Sequence, residues 1–147
     1  MPEKITVKQT TLEQAMRVDG LIPEFGKQYS EENALEKTRG KDLLFLVAYS
    51  GENPAGYIIA YDRYSDGSFY CWMAGVIPEF RGRGILKAMM AYLMGWAKKK
   101  GYDRIRIKTR NKRREMLNYL AKNDFDFLEI EKKDDVKEYR ILAEKIL

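Results

Sequence analysis

The residues best suited to chemistry lie in the run Val76-Ile-Pro-Glu-Phe-Arg-Gly-Arg-Gly84, and the chemistry their types suggest is anion binding. An apolar strand pattern ends at Val76 and a helical period begins after Gly84, so Arg81 to Gly84 falls where a strand gives way to the first turn of a helix. Several backbone N–H groups lack intrahelical partners there, and the helix dipole is positive. Glycine takes positive φ readily and brings the main chain close to a ligand, so strand, paired glycines and helix start together form a phosphate cradle. A tight turn with no ligand has the same glycine spacing, and the surrounding residues must decide between the two. Metal chemistry has little to draw on. The chain contains no histidine and only one cysteine, Cys71, which also precludes an intramolecular disulfide and points to a reducing compartment.

The elements that must position this run follow from periodicity. Ile5 and Val7 alternate with polar residues in a short strand, and Thr10-Thr11 supplies an N-cap for a helix through Val18. Residues 19 to 29 hold Gly20, Pro23 and Gly26 and read as irregular, before a second helix from Ser30 to Gly40. Residues 43–49, 55–62 and 68–76 form a three-strand meander joined by turns at Ser-Gly-Glu-Asn-Pro and Asp66-Gly67. From Gly84 a stripe of Leu86, Met90, Leu93 and Ala97 predicts a helix to Lys100, stopped by Gly101. Arg104 to Lys108 alternates as a strand, 112–122 is helical, and 125–131 and 139–147 are strands. The order predicts an α/β fold with a mixed central sheet flanked by helices, whose one parallel crossover is strand 68–76, helix 85–100, strand 104–109. Ligands of open α/β sheets bind outside the carboxyl ends of strands, which places Val76 to Gly84 at the expected site.

Composition bounds the rest. At 147 residues, 45% hydrophobic and 33% charged, the chain has the size and make-up of one globular domain spanning 1–147. No apolar leader or membrane-length run is present, so the expected location is the cytoplasm. Lys98 to Arg114 holds ten basic residues against one acid, a local +9 in a chain of net +5, so the other 130 residues carry −4. Such a block serves a nucleic-acid patch, an anionic cofactor or a solvated surface. Tyr102 is its only aromatic residue, which leaves base stacking little to use.

Val-x-Pro-x-x-Arg-Gly-x-Gly before an amphipathic helix resembles the acetyl-CoA-binding motif of the GNAT N-acetyltransferase superfamily, Gln/Arg-x-x-Gly-x-Gly/Ala, which in this chain reads Arg81-x-x-Gly84-x-Leu86. Leu86 departs from the small residue usual at the last position. The motif covers about Val76 to Ala97; a fainter similarity is Met116 to Phe125, whose Lys122-Asn-Asp-Phe125 resembles the turn that ends the family's later helix. The resemblance implies a V-shaped opening between strands 68–76 and 104–109, with the pantetheine arm held by main-chain groups of Ala74, Gly75, Val76 and Ile77. It puts the pyrophosphate on the N–H groups of Arg81, Gly82, Arg83, Gly84, Ile85 and Leu86. Arg83 and Lys87 would add charge to the phosphates, and the basic residues of 104–114 would meet the adenosine 3′-phosphate.

The implied reaction is direct attack of a primary amine of a small molecule on acetyl-CoA. It needs a proton acceptor, an oxyanion donor and an acid for the departing thiolate. Backbone N–H of Gly75 or Val76 suits the oxyanion. Without histidine, the candidate bases are Glu24 in the irregular connection and Glu79 in the motif loop. Many family members place a tyrosine acid five residues before the terminal phenylalanine; that slot is Leu120, which reads as core, with Tyr119 beside it as the candidate acid. Tyr29, Tyr57, Tyr61 and Tyr70 fall where the resemblance puts the acceptor pocket, suiting an amphipathic or cationic acceptor. The alternatives are a protein or peptide N-acetyltransferase, a CoA-binding protein without catalysis, and a nucleic-acid-binding module. The resemblance also implies a homodimer.

Overall fold

A sheet of seven strands in the order β1-β2-β3-β4-β5-β7-β6 organises the computed structural model, which describes residues 3–26 and 30–147. The strands are β1 (Ile5–Gln9), β2 (Leu43–Ser50), β3 (Asn53–Tyr61), β4 (Ser68–Val76), β5 (Arg104–Arg110), β6 (Asp126–Glu131) and β7 (Arg140–Ile146). Four helices accompany them among the described residues: α1 (Leu12–Asp19), α2 (Glu31–Thr38), α3 (Ile85–Lys100) and α4 (Arg114–Lys122). The order of elements is the one the periodicity predicts. The boundaries differ by one or two residues: β3 starts two residues earlier than expected, α2 ends two earlier, α4 starts two later, and a 3-10 turn, Val136–Glu138, precedes β7 at Arg140.

Every strand pair is antiparallel except β4 with β5. That parallel ladder runs only from Ser68 opposite Arg104 to Cys71 opposite Ile107, although β4 continues to Val76 and β5 to Arg110. The two strands therefore part beyond Cys71. A local cause is visible in β4: Met73 pairs with Ile59 and Cys71 with Ala60, so Trp72 is an extra residue with no opposite number on β3. A bulge of this kind bends and twists its strand, turning the end of β4 away from β5.

The core fills from both faces. α1 packs on β2 and β3 through Leu12, Ala15 and Val18, and α3 buries Ile85, Met89, Met90, Leu93 and Ala97 on the opposite face. The buried stripe of α3 is thus rotated toward Ile85 and Met89. Leu86, expected in that stripe, is only half-buried and faces the opening.

Candidate active site

The turn expected to cradle an anion has the backbone its glycines allow. Gly82 and Gly84 have φ of 76° and 86°, in the left-handed region that glycine adopts freely. Gly84 is the N-cap of the 16-residue α3 and contributes no capping side chain, leaving the first-turn N–H groups to a ligand. A Cβ placed on Gly82 would meet no atom within 4 Å, so the space over it is open. Arg81, Gly82, Gly84, Ile85, Leu86 and Lys87 line a cavity here, with Tyr119 and Lys122 of α4 across from them. A pyrophosphate fits this surface: exposed main-chain donors, a helix dipole and two lysines. Arg83 is exposed, lies over the Phe80 ring at 5.5 Å and lines neither this cavity nor the next.

A second cavity, of about 490 Å³, occupies the gap between the parted strands and shares Val76, Arg81, Leu86 and Glu115 with the first. Its wall on β4 runs from Tyr70 to Val76. At Gly75 the loop after α1 presses directly on that strand: a Cβ there would come within 2.5 Å of Phe25 and 2.6 Å of Ile22. The Ile77 N–H bonds the Ala55 carbonyl at 2.8 Å, toward β3. Because N–H direction alternates along a strand, the Val76 N–H points to the open side. Main-chain donors for an acyl oxygen therefore reduce to Val76 and Ala74, while Ile77 is already used.

Arg81 holds these parts together. Its guanidinium pairs with Glu24 at 2.8 Å, donates to the Val76 carbonyl at 3.1 Å and lies 3.7 Å from Glu115 of α4. The loop after α1, the end of β4 and α4 converge on one side chain. The Arg81 hydrogen bond also lowers the Glu24 carboxyl below its usual range, so Glu24 stays ionised to lower pH and is correspondingly a weaker base. Glu79, the other candidate base, sits exposed in the 3-10 turn Pro78–Phe80 and lines neither cavity.

Tyr119 lines the cradle, and burial pushes its hydroxyl up to about 12. Leu120 is fully buried, as its place on the helix predicts. Tyr57 and Tyr70 line the cavity between the parted strands, Tyr61 packs edge-on to Tyr70 and Trp72, and Tyr29 lies outside the described residues. Cys71 also borders the cavity, but burial holds its thiol up to about 12, so it does not supply a thiolate nucleophile near neutrality. Among the described residues no cluster of three or more metal-ligating side chains occurs, and no helix is long and apolar enough to cross a membrane.

Sequence reasoning missed several groups. Asp19, buried at the end of α1, accepts a hydrogen bond from the Tyr57 hydroxyl at 2.5 Å. Arg63 and Arg140 line the cavity from the β3–β4 connection and from β7. The basic block also looks different in three dimensions. Arg104, Arg106, Lys108, Arg110 and Lys112 pair with acids brought from elsewhere: Asp66, Glu131, Glu138 and Glu144, besides Asp103. The alternation puts Arg104, Arg106, Lys108 and Arg110 on one face of β5, a pattern legible in the sequence; their partners were not.

Comparisons with known proteins agree with this geometry. No curated protein sequence matches the chain. Among solved structures, the ribosomal-protein-S18-alanine N-acetyltransferase from Escherichia coli is similar at a TM-score of 0.80 and 15% identity, over 97% of this chain and 94% of that one. An IAA acetyltransferase from Bacillus cereus is similar at 0.79 and 16% identity, over 98% and 100%. An acetyl transferase from Salmonella typhimurium that modifies the N-terminal serine of 50S ribosomal subunit protein L7/L12 is similar at 0.74 and 15%, over 97% and 95%. Identities this low show a shared fold. The family itself follows from the sequence: the model described as Acetyltransferase (GNAT) family matches residues 12–125, most of the chain, which therefore belongs to the GNAT family of N-acetyltransferases that use acetyl-CoA.

Proposed function

We propose that residues 1–147 act as one domain that transfers the acetyl group of acetyl-CoA to the primary amine of a small molecule by direct attack. The observation that carries the small-molecule reading is the cavity of about 490 Å³ between the parted ends of β4 and β5, continuous with the anion cradle. That volume falls in the range of small-ligand sites, which span about 300–1,000 Å³. Acetyl-CoA, when bound, supplies a thioester carbonyl.

The chain's own groups divide the work. N–H groups of Gly82 to Lys87 hold the pyrophosphate, with Lys87 and Lys122 adding charge, and main-chain groups of Ala74 to Val76 hold the arm. The Val76 N–H faces the acyl oxygen, and the Val76–Ile77 peptide is fixed from both sides by Ala55 and Arg81. Glu24 draws the ammonium end of the acceptor to the cavity mouth and takes its proton, directly or through water. Tyr119, a phenol protonated at neutral pH, donates to the departing sulfur.

Acetyl-CoA turnover read as free thiol, against a panel of small amines and N-terminal peptides, tests this reading. Thiol release with small amines, reduced at least tenfold in kcat by Tyr119→Phe, is the expected outcome. Turnover of peptides alone overturns the small-molecule acceptor, and a Tyr119→Phe loss under threefold makes Tyr119 a packing residue.

A further inference from the structure

The cavity expected to suit a cationic acceptor is itself cationic. Nine arginines and lysines line it against three carboxylates. Two of the carboxylates are occupied, Glu24 by Arg81 and Glu131 by Lys108, while Arg110 and Lys112 pair with Glu138 outside the lining. Arg63, Arg113, Arg114 and Arg140 make no ion pair among the described residues. Arg63 instead lies over the ring of Tyr70 at 5.0 Å, and Lys37 lies over Trp72 at 5.4 Å. The Nε of Arg140 is buried with no hydrogen-bond partner among the described residues, a state that costs free energy unless a ligand completes it.

These cations do not all serve acetyl-CoA. Tyr70 precedes Val76 by six strand residues, so Arg63 stands about 20 Å along β4 from the cradle that receives the phosphates. Measured from Ala74, where the transfer would take place, the same rise gives about 13 Å, and Trp72 with Lys37 about 7 Å. Since an arginine reaches several ångströms from its backbone, an anion between Lys37 and Arg63 lies several bonds from the reacting nitrogen. Glu24, near the other end, marks the amine side.

We infer that the acceptor is a small amine carrying a carboxylate or phosphate at its far end, bound with its nitrogen toward Ala74 and Val76 and its anion against Arg63 and Lys37. This rests on the proposed acetyl transfer. In that step the acceptor nitrogen forms the C–N bond, the thioester C–S bond breaks, and the proton lost by nitrogen ends on the thiol. Among the lining arginines without an ion pair, Arg63 is the one on the β3–β4 connection, beside Tyr70 at the end of β4 away from the cradle.

The test compares kcat/KM for matched acceptors: 6-aminohexanoate and 6-aminohexyl phosphate against hexylamine. The expected result is a preference of at least tenfold for one anionic acceptor, with the better of the two identifying the anion. Arg63→Ala should reduce that preference about tenfold, and Arg63→Lys should keep part of it, since a hydrogen-bonded charge pair contributes on this scale. Equal or better use of hexylamine overturns the inference while leaving the acetyltransferase reading intact. A preference that Arg63→Ala does not change overturns the role of Arg63. Absence of thiol release with every amine overturns both the inference and the reading beneath it.

Discussion

Replacing Arg81 by methionine tests whether the cofactor site is prearranged by a side chain or by the glycine loop alone. The guanidinium bonds Glu24 at 2.8 Å and the Val76 carbonyl at 3.1 Å. The Glu24 pair is partly solvated, with side chains 27% and 40% exposed, so its share is discounted to about 0.2–1 kcal/mol. The bond to the carbonyl adds about 0.5–1.5 kcal/mol. Glu115, at 3.7 Å and 76% exposed, adds nothing measurable. The sum is about 1–2 kcal/mol, and methionine retains most of the aliphatic packing. Because Arg81 fixes the Val76–Ile77 peptide on the side opposite Ala55 and begins the Gly82–Gly84 loop, much of this energy is recovered only when the loop is ordered around a ligand. Isothermal calorimetry with acetyl-CoA should show Kd raised about 5- to 30-fold. A Kd within twofold of the parent would refute the reasoning and return the cradle to its glycines and helix dipole. The pair also carries a pH signature. The Glu24 carboxyl is depressed in the folded chain, so its stabilisation is present above its unfolded value near 4.5 and lost as pH falls through the lower folded value. Acid unfolding of Arg81→Met should therefore converge with that of the parent at low pH.

Two further substitutions probe the walls of the site. Gly82→Ala meets no steric obstacle, yet φ of 76° costs a non-glycine residue about 1–2 kcal/mol, and the methyl group projects into the cradle; acetyl-CoA Kd should rise tenfold or more, and an unchanged Kd by calorimetry rejects phosphate binding over Gly82. Tyr57→Phe removes the hydroxyl that bonds buried Asp19, whose carboxyl is raised by burial and lowered by that bond. A raised folded value means stability falls as pH climbs above the unfolded value near 3.8, and losing the hydroxyl deepens the fall. Urea unfolding should show a loss of about 1.5–3 kcal/mol at pH 8 and a smaller one at pH 4, with Asp19→Asn recovering part; a pH-independent loss would assign Tyr57 to packing alone.

What the sequence made legible and what it hid differ by the range of the interaction. The strand and helix order was readable because each element carries its own period, and the strand-to-helix turn because two glycines beside a helix start admit positive φ there. The parting of β4 and β5 was expected from resemblance, while its local cause, the extra residue Trp72, depends on register against β3 and has no mark within β4 itself. The partners of the charged block were hidden for the same reason. Counted along the chain, 98–114 is a basic block that competes as a nucleic-acid footprint; folded, its strand residues meet acids from β6, β7 and the turns before β4 and β7. Neutralising β5 in this way shifts the uncompensated charge to residues that sequence inspection passes over singly, Arg63 after β3 and Arg140 at the start of β7. Net charge of a segment therefore says little about what the segment binds when it is a strand in mid-sheet, since its neighbours share its face. For the acceptor proposed above, the charge that matters is the charge left unpaired at a concave surface, and the proposed surface is the gap between β4 and β5.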